Sequence, residues 1–544
     1  MSDRKWIGIL LLAGFLFLFP GIGDLPLLDR DEPRFSRAAV EMMERSDWVV
    51  PWFNGGFRFD KPPLTYWLMS PWLSILGETE MAVRMPTVLS ALASMWLIYA
   101  FARRLGLPSG KCALAAGGWL TCLQVMIHGR IAVADMHMLV MLIVTMRAFW
   151  ELGSAKTEES SLLKSRWFHV LWLSMGLGFL AKGPLAIVVP LAALLLLFVW
   201  EKWKGAPDQK MARKMLGFWA WAQLPALGLV ALWGIPALLA TRGLFFEVGI
   251  GTHVVDRGLQ GFNHRKVIPG IYYLIVLPLF FAPWTGALAG AFAAAREPER
   301  DSRFLACWTI APILIFSGYA TQLPHYILPA YPALFLLLAK GWDKGLKRAR
   351  LILAALPFTI FGLLAIVITY GSVKAVAFDS ALSGMLAGLA MVLTGISLAS
   401  LAVGLNRRIL PFAAMAFAVI GFQVMAHNAS EVHAVKRLIK KSGGEFHHPA
   451  AVGFTEPSLV WYGSHQWVFQ KEFPPDADFC VSIKRRWRAD GKTCLAIWRG
   501  ERPEAKDGAK GLSIPDGAMT VQGWSAADSS WVELVFWRPE EASH

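Results

Sequence analysis

Charge is scarce in this sequence. Only 17% of its 544 residues are Asp, Glu, Lys or Arg, against about 25% in soluble domains, so a chain this long lacks the polar side chains to hydrate the surfaces of ordinary cores. Cysteine is scarce as well: there are five, none in a C-x-x-C pair, which excludes a disulfide scaffold. No G-x-G-x-x-G or P-loop spelling occurs, so the phosphate-cradling loops of soluble nucleotide-binding domains are missing. What is abundant is apolar. Hydrophobic residues make up 55%, the mean hydropathy is +0.46, and runs of about 20 apolar residues recur, long enough to cross a bilayer. The excess of 53 Lys+Arg over 39 Asp+Glu then belongs in the loops of a membrane protein rather than in a nucleic-acid groove.

The stretch from Trp6 to Phe19 follows Arg4 and Lys5 like a signal peptide, but no A-x-A site comes after it. It is expected to stay as a first span. Further apolar windows lie near 82–101, 112–128, 131–150, 167–181, 184–200, 215–240, 268–292, 304–320, 324–340, 351–370, 382–404 and 409–427, which predicts about thirteen spans. Lys and Arg alternate between sides with this threading. They gather at Arg103, Arg104 and Lys111, at Lys156, Lys164 and Arg166, at Lys202 to Lys214, at Arg296 to Arg303, at Lys340 to Arg350 and at Arg407 and Arg408. The connections between these clusters, near 321–323 and 371–381, hold almost none. An odd number of spans places the N-terminus in the cytoplasm and the C-terminus outside.

The fold expected is an all-α polytopic membrane domain over residues 1–427, with interfacial helices in a long outer loop at 23–81. A small α/β domain follows over 428–544, with short β-like runs at Ala451 to Phe454 and Phe479 to Ile483. Cys480 and Cys494, the two cysteines outside the apolar spans, are equally readable as a disulfide or as two free thiols.

Ionisable residues inside hydrocarbon cost several kcal/mol, so their depth is informative. Span centres are almost free of them. The exceptions are Asp135 and His137 near the outer end of the fourth span, flanked by His128 and Arg130. A transporter is expected to carry such groups near the midplane, so this distribution favours chemistry at the outer interface. The richest outer stretch is Asp29-Arg30-Asp31-Glu32-Pro33-Arg34-Phe35, continuing through Asp47-Trp48 to Asn54-Gly55 and Asp60-Lys61-Pro62-Pro63. An acid followed by Pro33 starts a helix. That helix sets Phe35, Ala38, Ala39, Met42 and Met43 on one face and Arg34, Arg37, Glu41 and Arg45 on the other, which suits a helix lying in the membrane surface. Asp31 reads equally as a plain N-cap. Lys61, held at a turn by two prolines, is placed to meet a lipid phosphate or to snorkel to the headgroups. A basic outer cluster at His253, Asp256, Arg257, His264, Arg265 and Lys266 opposes the topological bias and suggests phosphate binding. Leu323-Pro324-His325-Tyr326 opens the tenth span and could line a lipid groove.

Taken together, D-E-P-R-F at Asp31 to Phe35, D-W at Asp47, N-G at Asn54, K-P-P-L-x-Y-W at Lys61 to Trp67, V-A-D at Val133 to Asp135, K-G-P at Lys182 to Pro184 and L-P-H-Y-I-L-P at Leu323 to Pro329 form a family pattern. The chain resembles the bacterial polyprenyl-phosphate-sugar glycosyltransferases related to protein O-mannosyltransferases, in particular the lipid A aminoarabinose transferases. The resemblance covers about residues 6–340. It implies a C-type glycosyltransferase (GT-C) fold, an undecaprenyl phosphate sugar donor, an inverting transfer at the periplasmic face of the inner membrane and a periplasmic acceptor such as lipid A. It further implies that Asp31, Arg34 and Asp135 are catalytic, that Lys61 with Arg257 and Arg265 holds the donor phosphate, and that Glu32, His325 and Tyr326 contact substrate. A divalent cation near Asp60 and His253 is implied too, although Asp60 stands where a glutamate is usual and Phe35 where a tyrosine is. Transfer to protein hydroxyls or to a growing polysaccharide, and lipid-linked sugar transport, are the alternative readings.

Overall fold

The computed structural model describes residues 2–28, 31–154, 163–204, 210–256, 271–444, 446–464, 466–470, 472–474, 476–488, 506–507, 514–525 and 530–539. Helix α1 (Asp3–Leu18) leads into α2 (Asp31–Arg45), a two-stranded hairpin β1 (Trp52–Phe53) and β2 (Gly56–Phe57), and α3 (Leu64–Leu76). The helices α4 (Glu80–Arg104), α5 (Ser109–Thr121), α6 (Leu123–His128), α7 (Asp135–Ser154), α8 (Arg166–Lys182), α9 (Leu185–Lys204) and α10 (Lys210–Ala240) follow. After them come α11 (Tyr272–Phe280), α12 (Leu288–Ala295), α13 (Arg300–Ser317), α14 (Tyr331–Gly341), α15 (Lys347–Ala375), α16 (Ser380–Gly404) and α17 (Leu410–Val432). Among the described residues seven helices are long and apolar enough to cross a membrane. An eighth candidate is the pair formed by α11 and 284–295, bent by 114°. The bend falls at Pro283, which has no N–H to continue a helix.

Small residues let these helices approach closely. In α16 and α17, Gly388 and Gly421 face each other's backbone, and a Cβ on Gly388 would stand 2.4 Å from the Met425 nitrogen. The tightest contact joins α12 and α14, where a Cβ on Gly341 would lie 1.9 Å from the Gly290 carbonyl oxygen. Neither backbone can yield without separating the helices. Gly341→Ala is therefore expected to lower stability by about 1–3 kcal/mol, read as earlier thermal unfolding in detergent, while Gly110→Ala, with open space around it, leaves the transition where it was.

After α17 come α18 (Ala434–Ser442), α19 (Pro457–Tyr462) and a sheet with six strands among the described residues: β3 (Pro449–Val452), β4 (Val468–Gln470), β5 (Phe479–Arg488), β6 (Lys506–Asp507), β7 (Met519–Ser525) and β8 (Ser530–Trp537). Strand order is β4-β3-β5-β8-β7, with β6 beside β5. The β3 strand runs parallel to β4 and β5, whereas β5, β8 and β7 are antiparallel. Alternate residues serve two cores, as a pleat of period two requires: Phe479, Val481, Leu534 and Phe536 join α18 and α19 on one face, Cys480, Val535 and Trp537 the other. Cys480 is a buried free thiol; Cys494 lies outside the described residues.

Candidate functional site

The outer loop between α1 and α4 is built on buried ion pairs. Glu32 was expected to contact substrate, but its carboxylate accepts from Arg84 Nε at 2.8 Å and Nη2 at 2.7 Å, from the Ala132 amide at 2.6 Å and from the Leu28 amide at 2.8 Å. Both partners are sealed from solvent. Arg84 also donates to the carbonyls of Ile22, Leu25 and Pro26. Glu32 is thus a structural pillar, and that expectation is corrected. A second correction concerns α2. Phe35, Ala38, Ala39 and Met42 are buried as the pattern predicts, but so are Arg37 and Glu41 from the face expected to be wet. The loop folds back over them: Glu41 accepts the Asn54 and Gly55 amides at 2.7 and 3.2 Å, and Arg37 pairs with Glu44 at 2.9 Å.

Asp47 explains the D-W spelling. Its carboxylate takes the Val49 and Val50 amides at 3.0 and 3.1 Å and the Trp52 indole at 3.0 Å. Burial raises its pKa, but these bonds and the Arg45 charge outweigh that and hold it below the usual carboxylate range. It organises the loop.

Asp31 stands at the exposed start of α2, where a carboxylate is favoured by the helix dipole. Its charge is felt by Arg58 and Tyr66. Arg58, which sequence reasoning passed over, is buried beside the Phe35 ring, donates from Nε to the Tyr66 hydroxyl at 3.1 Å and pairs with Asp60 at 2.9 Å. Burial opposes its charge, yet Tyr66, Asp60 and Asp31 prevail and its pKa is raised. Arg34 lies half-buried along α2.

Lys61 follows at once, half-buried, with its ammonium donating to the Asp60 carbonyl at 2.9 Å. It lines a cavity of about 340 Å³ with Lys182, whose other walls include Phe179, Val230, Trp233, Leu238 and Phe245. Lys182 is the second residue missed. It ends α8, where Gly183, at φ +76°, and Pro184 stop the helix, and there it pairs with Asp135 in the first turn of α7. A cation at a helix C-terminus and an anion at a helix N-terminus each complement the local dipole, so the packing of α7 on α8 brings the pair together. Asp135 and Lys182 share a smaller hollow with His325 and Tyr326. The rings of His325 and His128 lie 4.8 Å apart, and His325 feels the charges of Asp135, Lys182 and Lys61. The K-G-P spelling, a cation set at a helix stop, was the signal that could have drawn Lys182 into the site.

Asp60 is engaged by Arg58. Among the described residues no group of three His, Cys, Asp or Glu could hold a metal ion; of the pair expected to hold a divalent cation, only the Asp60 side chain is among them. The side chain of His253, and Arg257, His264, Arg265 and Lys266, lie outside the described residues.

These elements define a multi-pass helical membrane protein with a charged, apolar-walled hollow at the ends of its spans. Its fold is that of ArnT from Cupriavidus metallidurans, solved bound to undecaprenyl phosphate. The two superpose with a TM-score of 0.70 over 98% of this chain and 97% of that one, at 19% identity. Residues 60–220 match the dolichyl-phosphate-mannose-protein mannosyltransferase family. The undecaprenyl phosphate-α-4-amino-4-deoxy-L-arabinose arabinosyl transferase of Erwinia tasmaniensis is 33% identical over 312 residues, 57% of this chain and 54% of that protein. A second such transferase, from Sodalis glossinidius, is 32% identical over 387 residues, 69% of this chain and 66% of that protein. The chain thus spans about half the length of the first of these relatives and close to two thirds of the second. The resemblance read from the motifs, to polyprenyl-phosphate-sugar glycosyltransferases and to the aminoarabinose transferases among them, holds.

Proposed function

We propose that this chain is a glycosyltransferase of the bacterial inner membrane, moving a sugar from an undecaprenyl phosphate donor to a periplasmic acceptor, lipid A or a related envelope glycolipid, with inversion. In this reading the chain threads the membrane about thirteen times, with its N-terminus in the cytoplasm and residues 428–544 forming a periplasmic α/β domain. The observation that carries it is the cavity lined by Lys61 and Lys182 among apolar walls, with the nearby Asp60 carboxylate paired to Arg58, which suits a ligand that is a phosphate at one end and a hydrocarbon along the rest.

The bond that breaks joins the sugar's anomeric carbon to the donor phosphate oxygen, and the polyprenyl phosphate leaves with the electron pair. No proton is needed, because the ammonium groups of Lys61 and Lys182 stabilise the charge growing on that oxygen; Arg257 and Arg265 would add to them. The acceptor oxygen attacks from the opposite face of the sugar. Asp31 takes its proton if it is a hydroxyl, and orients acceptor or sugar if it is an already ionised phosphate. Asp135, fixed by Lys182, holds the sugar together with His325 and Tyr326, and Arg34 supports the acceptor side. The test is mass spectrometry of lipid A from cells with and without the chain. A sugar-sized mass increment that depends on the chain is expected. An unchanged lipid A, with a chain-dependent sugar on protein or polysaccharide, overturns the acceptor assignment.

A further inference from the structure

The N-G pair at Asn54 and Gly55 has no role in the chemistry above, yet it sits in a built joint. It forms the two-residue turn of the β1–β2 hairpin, in which Trp52 faces Phe57 and Phe53 faces Gly56. Asn54 and Gly55 have φ of 54° and 75°, the left-handed pair that a tight hairpin with native twist demands. The Asn54 side chain then reaches the C-terminal unit. Its Nδ2 donates to the Trp467 carbonyl at 2.9 Å, and the Trp467 amide donates to its Oδ1 at 2.8 Å. A Cβ on Gly55 would stand 2.9 Å from the Gln466 side chain. Phe53 packs on the sheet core beside Phe446, Trp467 and Phe479.

The same short segment grips the loop a second time. The Tyr462 hydroxyl accepts the Leu27 amide at 2.9 Å and donates to Glu80 at 3.1 Å. Its neighbour Trp461 shares a core cluster with Leu27, Phe35 and Tyr66. One grip thus lies four residues before Asp31 and the other seven residues before Lys61. We propose that Trp461, Tyr462 and Trp467 form a positioning clamp: the C-terminal unit works in the reaction by fixing the two halves of the outer loop, Tyr462 setting Asp31 and the Asn54–Trp467 joint setting Lys61. This rests on the transferase reading above.

The test uses the full chain in nanodiscs with two variants that keep shape. Asn54→Asp tolerates the same positive φ but turns an oxygen toward the Trp467 carbonyl; Tyr462→Phe keeps the ring and removes the hydroxyl. Losing such a bond, with a buried partner left unpaired, is expected to cost about tenfold. Asn54→Asp should raise the KM for an undecaprenyl-phosphate-linked sugar, and Tyr462→Phe should lower kcat with that KM held. Hydrogen exchange read by mass spectrometry should quicken over 56–62 in the first variant and over 25–37 in the second, with the spans unchanged. Wild-type kinetics in both variants, or a loss of protection spread across the spans, overturns the clamp. If the unmodified protein transfers no sugar, the transferase reading falls. The role in transfer falls with it, and the exchange pattern then decides the clamp's hold on the loop alone: local quickening at the two sites upholds that hold, and an unchanged pattern overturns it.

Discussion

Lys61→Ala is expected to lower transfer from an undecaprenyl-phosphate-linked sugar by about 100-fold or more, the usual cost of removing one preorganised contact to charge that develops in a transition state. Two cations line the cavity, but they are not equivalent. Lys182 is paired with Asp135, and Lys61 donates to the carbonyl of Asp60 at the turn before Pro62. The apolar walls formed by Phe179, Trp233 and Phe245 exclude water and strengthen the interaction with an incoming phosphate. Lys61→Arg keeps the charge and should retain more activity than Lys61→Ala. Asp31→Asn, which keeps the size and removes the charge, should lose a comparable factor if the acceptor is a hydroxyl, and much less if it is an ionised phosphate. Initial rates with purified protein measure both. Wild-type turnover in Asp31→Asn and Lys61→Ala together would refute the roles given to these residues.

How much of this was legible beforehand follows from what each inference depends on. That the chain is mostly helical and crosses a membrane several times could be read because hydrocarbon demands long apolar runs with internally satisfied backbones; of about thirteen expected spans, seven or eight meet that measure among the described residues. A charge is expensive away from the interface, which made Asp135 conspicuous within the spans and Asp31 and Lys61 conspicuous in the charged outer loop. Pairing could not be read. Lys182 meets Asp135 across 47 positions, and Arg84 meets Glu32 across 52; both pairs are set by how helices pack. For the same reason the sequence could not say which of the adjacent Asp31 and Glu32 turns inward. A helix start permits either, and only the buried guanidinium of Arg84 decides. Arg37 and Glu41 were assigned to a wet face because the periodicity of α2 carries no trace of the hairpin and of α19 that cover it. The hairpin itself had a local signal, since Asn-Gly is a strong two-residue turn, but its use as a joint to Trp467, 413 residues away, did not.

Replacing Arg84 should unfold the outer loop rather than slow the chemistry. Arg84 and Glu32 are both essentially inaccessible to solvent, and removing one member of a buried pair strands the other charge, at about 3–5 kcal/mol. Arg84→Ala strands Glu32 and also removes the donor to the carbonyls of Ile22, Leu25 and Pro26. Glu32→Gln should cost less, because the amide keeps the size and an oxygen acceptor for Arg84 or for the Ala132 and Leu28 amides. The paired change Arg84→Met with Glu32→Leu eliminates the stranded charge and should recover part of the loss, limited by the backbone groups left unbonded. Thermal unfolding in detergent reads the order, with Arg84→Ala lowest, the double variant between, and Glu32→Gln nearest the parent. If Arg84→Ala melts with the wild type and loses only activity, Glu32 and Arg84 belong to the reaction after all. If it melts early while the surviving folded fraction still transfers sugar, the division holds: Glu32 and Arg84 fix the start of α2 and take no part in the transfer itself.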